Sequence, residues 1–140
     1  MQDFQDLLVW RKAHQLTLGV YRMTKRIPRG DYPGLVPQLL RAAASVPANI
    51  AEGCGHESSR ELGRFLQMAM ASASELEYHL ILTADLGLLP PGIGEQRIDH
   101  AKEVKRMLAA LIKRVRQKGG SETKKRRQRS ADPGEESTDH

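Results

Sequence analysis

Apolar residues recur at three- and four-residue steps in four segments of the chain, and this spacing is typical of amphipathic α-helices. The segments cover about residues 7–27, 35–52, 59–86 and 95–118. No segment shows the convincing alternation of apolar and polar residues that marks a β-strand. Four amphipathic helices with short connections predict an all-α fold, an antiparallel up-down four-helix bundle over residues 1–118.

The predicted helix ends carry local signals. Asp6 is the expected N-cap of the first helix, and Ser58 with Glu61 has the spacing of a capping box at the start of the third. Gly53 suits a left-handed residue just after the second helix, and Gly87 is expected to stop the third. These signals place the connections that separate the helices.

Pro47 lies in the middle of the second predicted helix, where a proline is unfavourable by about 3 kcal/mol. It has no N–H, so the carbonyl of Ala43 loses its helical donor. The helix either stops and restarts with Ser45 as a new cap, or continues with a kink. The apolar series through Val46 and Ile50 keeps its phase across the proline, which favours a proline-kinked second helix.

A polar series also keeps its phase across the proline, and its short members can reach backbone groups that the proline leaves without partners. We interpret it as a partly buried polar seam against the third helix, with Arg41 and Glu75 as the first pair to test. The alternative is a solvated helix face without a role. The series defines no pair of nucleophile and base, so its expected role is architectural. The polar seam is defined as Gln38, Arg41, Ser45, Asn49 and Glu52 of the second helix with Ser72 and Glu75 of the third, and Glu77 is a further candidate.

The third predicted helix is apolar on more than one side. Leu80, Ile81 and Leu82 are consecutive and cannot all face one core stripe. We therefore predict that these three residues contribute to an interface between copies of the chain. The alternative is a wide but ordinary core face.

The chain has a formal net charge of +5 and a sequence pI of about 9.6. Residues 1–118 hold 17 Lys and Arg against 12 Asp and Glu, so the whole surplus lies in the predicted bundle. Residues 119–140 hold five of each sign and almost no apolar residues, which predicts a disordered charged tail. The basic surplus of the bundle permits an anionic partner such as RNA.

Candidate contacts with phosphates lie on the first helix, on the fourth helix and in the basic run of the tail. Aromatic residues make up only 4% of the chain, so binding would be directed to the backbone rather than dominated by base stacking. Ordinary surface solubility is the alternative explanation of these charges. The candidates are Arg11, Lys12, Arg22, Lys25, Arg26, Lys105, Arg106, Lys113, Arg114, Lys124, Lys125, Arg126 and Arg127.

No motif of an enzyme or of a cofactor site occurs in the sequence. Cys54 and His56 form a lone C-x-H, which offers too few ligands for a stable metal site. We therefore predict no catalytic residue, no metal and no cofactor. No apolar run reaches the ~20 residues of a membrane span, and the N-terminus lacks the lysines of an export signal. With a single cysteine, the chain is expected to act in the cytoplasm.

Three stretches carry a resemblance to a known family: FQDLLVWRKAHQLTLGVYRMTKRIP, GLVPQLLRAAASVPANIAEG and ELGRFLQMAMASASELEYHLILTADLGLL. They resemble the small bacterial four-helix-bundle proteins associated with intervening sequences inside 23S ribosomal RNA genes. The resemblance covers about residues 4–89 closely and the fourth helix more loosely. The middle stretch, which contains Arg41, Ser45, Pro47 and Asn49, is the most specific.

The resemblance implies a homopentamer without known enzymatic activity. A related branch, the accessory variability determinant of diversity-generating retroelements, is a basic pentamer that binds nucleic acid and a reverse transcriptase. This chain departs from the family pattern at Cys54, His56 and Ala71, and His56 replaces an expected arginine, which weakens a role of that loop in gripping phosphate. Two hypotheses follow: an oligomeric RNA- or DNA-binding protein, or a protein-binding scaffold such as an accessory subunit of a reverse transcriptase without direct nucleic-acid contact.

Overall fold

The computed structural model describes residues 3–28 and 30–131. Within these ranges no β-strand occurs. Each α-helix packs against its neighbours in sequence, and the first also packs against the fourth. The predicted all-α four-helix bundle is therefore confirmed. Its elements are a short 3-10 helix, Phe4–Asp6, followed by α1 Leu8–Thr24, α2 Leu35–Cys54, α3 Ser59–Asp85 and α4 Ile93–Ala131.

The core lies between the four helices and receives one apolar stripe from each. Burial of one such side chain contributes about 1.5–3 kcal/mol, so the association of the helices depends mainly on these stripes. No described helix combines the length and the apolar character that crossing a membrane requires. The largest fully buried apolar side chains are Leu16 and Val20 of α1, Leu39, Val46 and Ile50 of α2, Leu66, Leu76 and Leu80 of α3, and Val104 and Leu108 of α4.

The first helix begins differently from the prediction. Asp6 lies in the 3-10 helix, and the residue before α1 is Leu7, whose side chain makes no capping hydrogen bond. Asp3 caps the 3-10 helix, because its carboxylate accepts a hydrogen bond from the Gln5 N–H at 3.0 Å. The prediction of Asp6 as the N-cap of α1 is wrong, because a separate helical turn precedes that helix.

The start and the end of α3 follow the sequence signals. The Ser58 hydroxyl accepts a hydrogen bond from the Glu61 N–H at 3.1 Å. Gly87 adopts a φ of +70°, a left-handed conformation that favours glycine, and its N–H donates to the Ala84 carbonyl. The predicted cap at Ser58 and the predicted stop at Gly87 are confirmed.

Gly53 lies inside α2 rather than after it, so its predicted left-handed conformation is wrong. Its helical backbone is close to α3: a Cβ on Gly53 would lie 3.0 Å from the Phe65 Cβ and 3.1 Å from the Leu62 Cδ1. These distances are shorter than ordinary van der Waals contact. Glycine at this position therefore allows α2 and α3 to approach closely, and the chain turns only after Cys54.

The fourth helix continues to Ala131, so the prediction of a disordered tail from residue 119 is wrong for residues 119–131. Residues 132–140, the rest of that predicted tail, lie outside the described residues. Residues 119–131 are helical because helix formation is cooperative: an existing helix grows by one hydrogen bond per residue without a new nucleus. Lysine, arginine and glutamine are also good helix formers, and cations near the C-terminus interact favourably with the helix dipole.

Candidate functional site

Pro47 lies inside α2, which is helical without a break from Leu35 to Cys54. The helix therefore does not stop and restart at the proline, and the kink remains a prediction. The Ala43 carbonyl, which Pro47 deprives of its helical donor, accepts a hydrogen bond from the Thr17 hydroxyl of α1 at 2.8 Å. The same hydroxyl lies 3.0 Å from the Ala13 carbonyl of its own helix, so its one proton is shared between a shorter contact with Ala43 and a longer one with Ala13. Thr17 is buried. A neighbouring helix thus supplies the donor that the proline removes.

The sequence pattern assigns this role to other residues. It indicates Ser45 and Asn49 as the groups that reach the backbone near the proline, but the Asn49 amide donates to the Ser45 carbonyl at 2.8 Å and to the Ser45 hydroxyl at 3.0 Å. These contacts stay within one turn of α2 and leave the Ala43 carbonyl to Thr17. The one hint of this role in the sequence is that Thr17 is a hydroxyl residue within the apolar stripe of α1.

The polar seam joins α2 to α3. The Arg41 guanidinium donates to the Glu75 carboxylate at 2.7 Å and to the Gln38 amide oxygen at 2.6 Å. The hydroxyls of Ser45 and Ser72 lie 2.8 Å apart. The structure therefore contains the Arg41–Glu75 pair that the sequence pattern indicates.

Burial differs along the polar seam. An exposed ion pair contributes only about 0–1 kcal/mol, and 63% of the Arg41 side chain is exposed. The half-buried contacts between hydroxyl and amide groups therefore contribute more to stability than the exposed Arg41–Glu75 ion pair does. Its half-buried members on α2 and α3 are Ser45, Asn49, Ser72 and Glu75, and its exposed members are Gln38, Arg41 and Glu52.

Cys54 lies in an environment that disfavours its thiolate form. Cys54 is a buried free cysteine, and its burial raises the pKa of the thiol. A raised pKa lowers reactivity at neutral pH, because the thiolate is the nucleophile. The His56 ring stacks on Phe65 with 5.1 Å between ring centroids. No group of three or more potential metal ligands occurs within residues 3–28 and 30–131.

Two of the candidate phosphate contacts have carboxylate partners inside the chain. Lys12 of α1 lies 3.6 Å from the Glu103 carboxylate of α4, and Lys105 of α4 lies 3.4 Å from the Glu77 carboxylate of α3. Glu77 therefore pairs with α4 and not with the polar seam. The other candidates are exposed, and none of them forms an ion pair within the described part of the chain: Arg11, Arg22, Lys25, Arg26, Arg106, Lys113, Arg114, Lys124, Lys125, Arg126 and Arg127.

The positive charge of the chain is concentrated on the C-terminal part of α4. From Val104 to Ala131 this helix contains eleven Lys and Arg and one acidic residue, Glu122, a formal net charge of +10. The whole chain carries +5, so all its other residues together carry −5. One helix therefore holds the surplus that the bulk composition indicates.

The third helix uses most of its apolar side chains within the chain. Leu80 is fully buried in the core and Leu82 packs against the core, whereas 37% of Ile81 is exposed. The prediction that Leu80 contributes to an interface between copies is wrong, because Leu80 continues the single buried stripe of α3, which also includes Leu66, Ala73 and Leu76.

The outer face of α3 carries exposed residues without charge at steps of three, four and three. We define this outer face as Ala71, Ser74, Tyr78 and Ile81, all of which are exposed. Tyr78 is the most exposed of the large hydrophobic side chains in the described residues, with 60% of its surface exposed. The sequence points to Ile81 of this set and misses the other three.

The family model for 23S rRNA-intervening sequence proteins matches residues 5–110. Among solved structures, a protein of unknown function from the S23 ribosomal protein family of Bacteroides thetaiotaomicron VPI-5482 is similar in fold, with 23% identity and a TM-score of 0.68. That match covers 76% of this chain and 99% of the other. No curated protein matches the chain. The last part of α4 extends beyond the residues that the family model matches.

Proposed function

Since the chain belongs to the 23S rRNA-intervening sequence protein family, we propose that it is a non-enzymatic, self-associating helical-bundle protein that binds RNA through the phosphate backbone. It acts in the cytoplasm, and the homopentamer that the sequence resemblance implies is its expected form. The observation that carries the proposal is the charge of α4, with eleven cations against one acid from residue 104 to residue 131.

Phosphate contact accounts for this charge better than solubility does. A surface that only keeps a protein in solution mixes both signs of charge. Residues 1–103 have that mixture, with 11 Lys and Arg against 12 Asp and Glu. Over residues 104–131 of α4, cations follow one another with a single acid, Glu122, among them. Such a series neutralises successive phosphates and releases their counterions, which favours binding to a polyanion.

Base stacking has little support, because the basic part of α4, residues 104–131, contains no aromatic residue and the exposed Tyr21 and Tyr78 lie on α1 and α3. Trp10 stacks on His14 at 5.0 Å between centroids, and the Arg64 guanidinium lies 4.5 Å from the Phe65 ring centroid. Proteins that hold single strands by stacking need free aromatic platforms. We therefore expect contacts with phosphates and a weak preference for sequence.

Self-association is supported by the outer face of α3. The small side chains of Ala71 and Ser74 let another helix approach closely, and Tyr78 and Ile81 add apolar surface beside them. Copies joined through this face would add their phosphate contacts on one RNA.

Light scattering tests this self-association. It is expected to show an oligomer that the Y78E/I81E variant dissociates. The matched control A109E/A110E, at exposed positions of α4, is expected to remain assembled. A wild-type chain that is monomeric at micromolar concentration contradicts self-association.

RNA binding is tested by fluorescence anisotropy with a structured RNA at two salt concentrations. For six or more phosphate contacts, the affinity is expected to fall about 1000-fold between about 50 mM and about 200 mM salt. The same protein and the same RNA are used at both concentrations, so the change in affinity reports the electrostatic contacts. Absence of binding at the lower salt concentration contradicts the proposal.

A protein-binding scaffold is the second candidate, and exposed apolar residues on α1 favour it. Leu18 and Tyr21 are 40% and 46% exposed and lie three residues apart on this helix. In this case the chain is an accessory subunit, for example of a reverse transcriptase, without direct nucleic-acid contact. A partner that remains bound after nuclease treatment, and that the L18E/Y21E variant loses, supports this candidate. A partner that nuclease releases contradicts it.

A further inference from the structure

We propose that residues 119–131 of α4 form a binding arm that inserts, as a helix, into the major groove of an RNA stem opened by a bulge or an internal loop. The inference rests on the proposed function and names the element and the RNA structure that it binds. The family match ends at residue 110, so the arm lies wholly outside it.

The arm leaves the bundle at Gly119. A Cβ on Gly119 would lie 3.7 Å from the Cβ of Ser59, the first residue of α3, so α4 reaches the end of its neighbour at this point. Beyond it, every residue from Gly120 to Ala131 whose side chain is described is exposed. Thirteen helical residues, at 1.5 Å each, make a rod of about 20 Å.

Cations surround the arm on all sides. Successive residues of an α-helix are rotated by about 100°, so four consecutive basic residues cover its whole circumference. Like charges three and four positions apart also repel one another, and phosphates around the helix would remove that repulsion. The cations are Lys124, Lys125, Arg126, Arg127 and Arg129.

The composition of the arm excludes partners that contact a helix on one side only. A partner helix or a membrane surface requires an apolar stripe, and the sequence GGSETKKRRQRSA contains no large apolar residue. A flat acidic surface would leave the cations on the far side without partners. A groove has phosphates on both walls, and it can therefore engage cations around the whole helix.

The width of the groove decides which RNA fits. A helix with its side chains is about 10–12 Å across. The major groove of a regular A-form stem is deep and narrow, so an uninterrupted RNA duplex does not admit the arm. Bulges and internal loops interrupt the A-form geometry, and an opened stem of this kind gives the arm access to both walls. We therefore expect the arm to prefer a bulged stem over a perfect duplex.

The first test removes the charge of the arm in the full-length chain. The variant K124Q/K125Q/R126Q/R127Q/R129Q is compared with a control that loses the same charge on the bundle, R11Q/R22Q/K25Q/R26Q/R60Q, where all five residues are exposed. On a bulged RNA hairpin, the arm variant is expected to bind about 100-fold more weakly, with a salt slope smaller by about four. The control is expected to lose less than tenfold. A control that loses as much as the arm variant overturns the inference.

The second test separates an inserted helix from a flexible charged tail. The Q128P variant breaks the helix and keeps every charge, whereas the control Q128A keeps both the helix and the charges. Q128P is expected to weaken binding to the bulged hairpin at least tenfold, whereas Q128A leaves it unchanged. Equal binding by the two variants overturns the inference.

The choice of nucleic acid gives a third comparison. Wild-type chain is expected to bind the bulged hairpin at least tenfold more tightly than a perfect RNA duplex of the same length. Equal affinity for both, or tighter binding to a B-form DNA duplex, whose groove of about 12 Å also admits a helix, overturns the choice of an opened RNA stem. If the wild-type chain binds no RNA at all, the proposed function itself fails. If it binds RNA and the arm variant binds equally well, only the arm is refuted.

Discussion

The hydrogen bond between Thr17 and the Ala43 carbonyl predicts an energetic coupling between Thr17 and Pro47, two residues on different helices. The T17V variant keeps the shape of the side chain and removes its donor. The Ala43 carbonyl, on a residue that is 1% exposed, then has neither the hydroxyl nor the backbone N–H that Pro47 lacks. A buried polar group left without a partner costs about 1–3 kcal/mol.

The magnitude depends on the residue at position 47. In the wild-type background we expect T17V to lower the free energy of unfolding by about 1–2 kcal/mol, because the added methyl group offsets part of the loss. In a P47A background, the alanine supplies the N–H that a regular helix directs at the Ala43 carbonyl. T17V should then cost less than about 0.5 kcal/mol. The coupling energy between the two substitutions is therefore expected to be about 1–2 kcal/mol.

Urea unfolding followed by far-UV circular dichroism measures this coupling at one fixed chain concentration, since association changes apparent stability. T83V serves as the control, because the buried Thr83 hydroxyl donates to the His79 carbonyl of its own helix at 2.6 Å. The T83V substitution should lower the free energy of unfolding by the same amount in the wild-type and the P47A backgrounds. Equal costs of T17V in the two backgrounds, within about 0.5 kcal/mol, would refute the assignment of Thr17 as the substitute donor.

Two further predictions concern packing and pH. The G53A substitution gains about 1 kcal/mol of helix propensity, but it places a Cβ 3.0 Å from the Phe65 Cβ, which cannot move without its backbone. We expect the free energy of unfolding to fall by about 1 kcal/mol. The control G63A, whose Cβ would meet nothing closer than 3.7 Å, should raise it by about 0.5–1 kcal/mol in the same urea assay. Burial lowers the pKa of His100 below its ordinary value of 6.5, so the unfolded chain binds more protons below that pH and stability should fall as the pH drops from about 7.5 to about 5.5. The H100Q variant should show a smaller fall in its urea midpoint over this range, and an unchanged fall would contradict the assignment.

The sequence allows prediction of features that depend on one helix and its immediate neighbours. Periodicity gives the four helices, and the cap at Ser58 and the stop at Gly87 follow from local hydrogen bonding and backbone conformation. The Arg41–Glu75 contact can also be predicted, because both residues lie in phase with the small polar residues of their helices. Local rules suffice in these cases because no distant residue competes for the same group.

Features that depend on more distant parts of the chain cannot be predicted in this way. Thr17 is a single hydroxyl residue in the apolar stripe of α1, so no polar series marks its contact with the Ala43 carbonyl, as one does for Arg41 and Glu75. Gly53 has the composition of a helix end, but a glycine that ends a helix and one that lets two helices approach look alike in sequence. The helicity of residues 119–131 follows from the helix that precedes them, while their composition alone resembles that of disordered segments.

The polar seam fixes how far α2 can slide along α3. Apolar contacts are less directional than hydrogen bonds, so the leucine and alanine side chains of the core specify the axial position less strictly than the polar seam does. A shift by one helical turn, about 5.4 Å, would separate Arg41 from Glu75 and Ser45 from Ser72. The positions four residues before and after Glu75 hold alanine and histidine, so no second carboxylate receives the guanidinium. The polar contacts therefore favour a single register of the two helices.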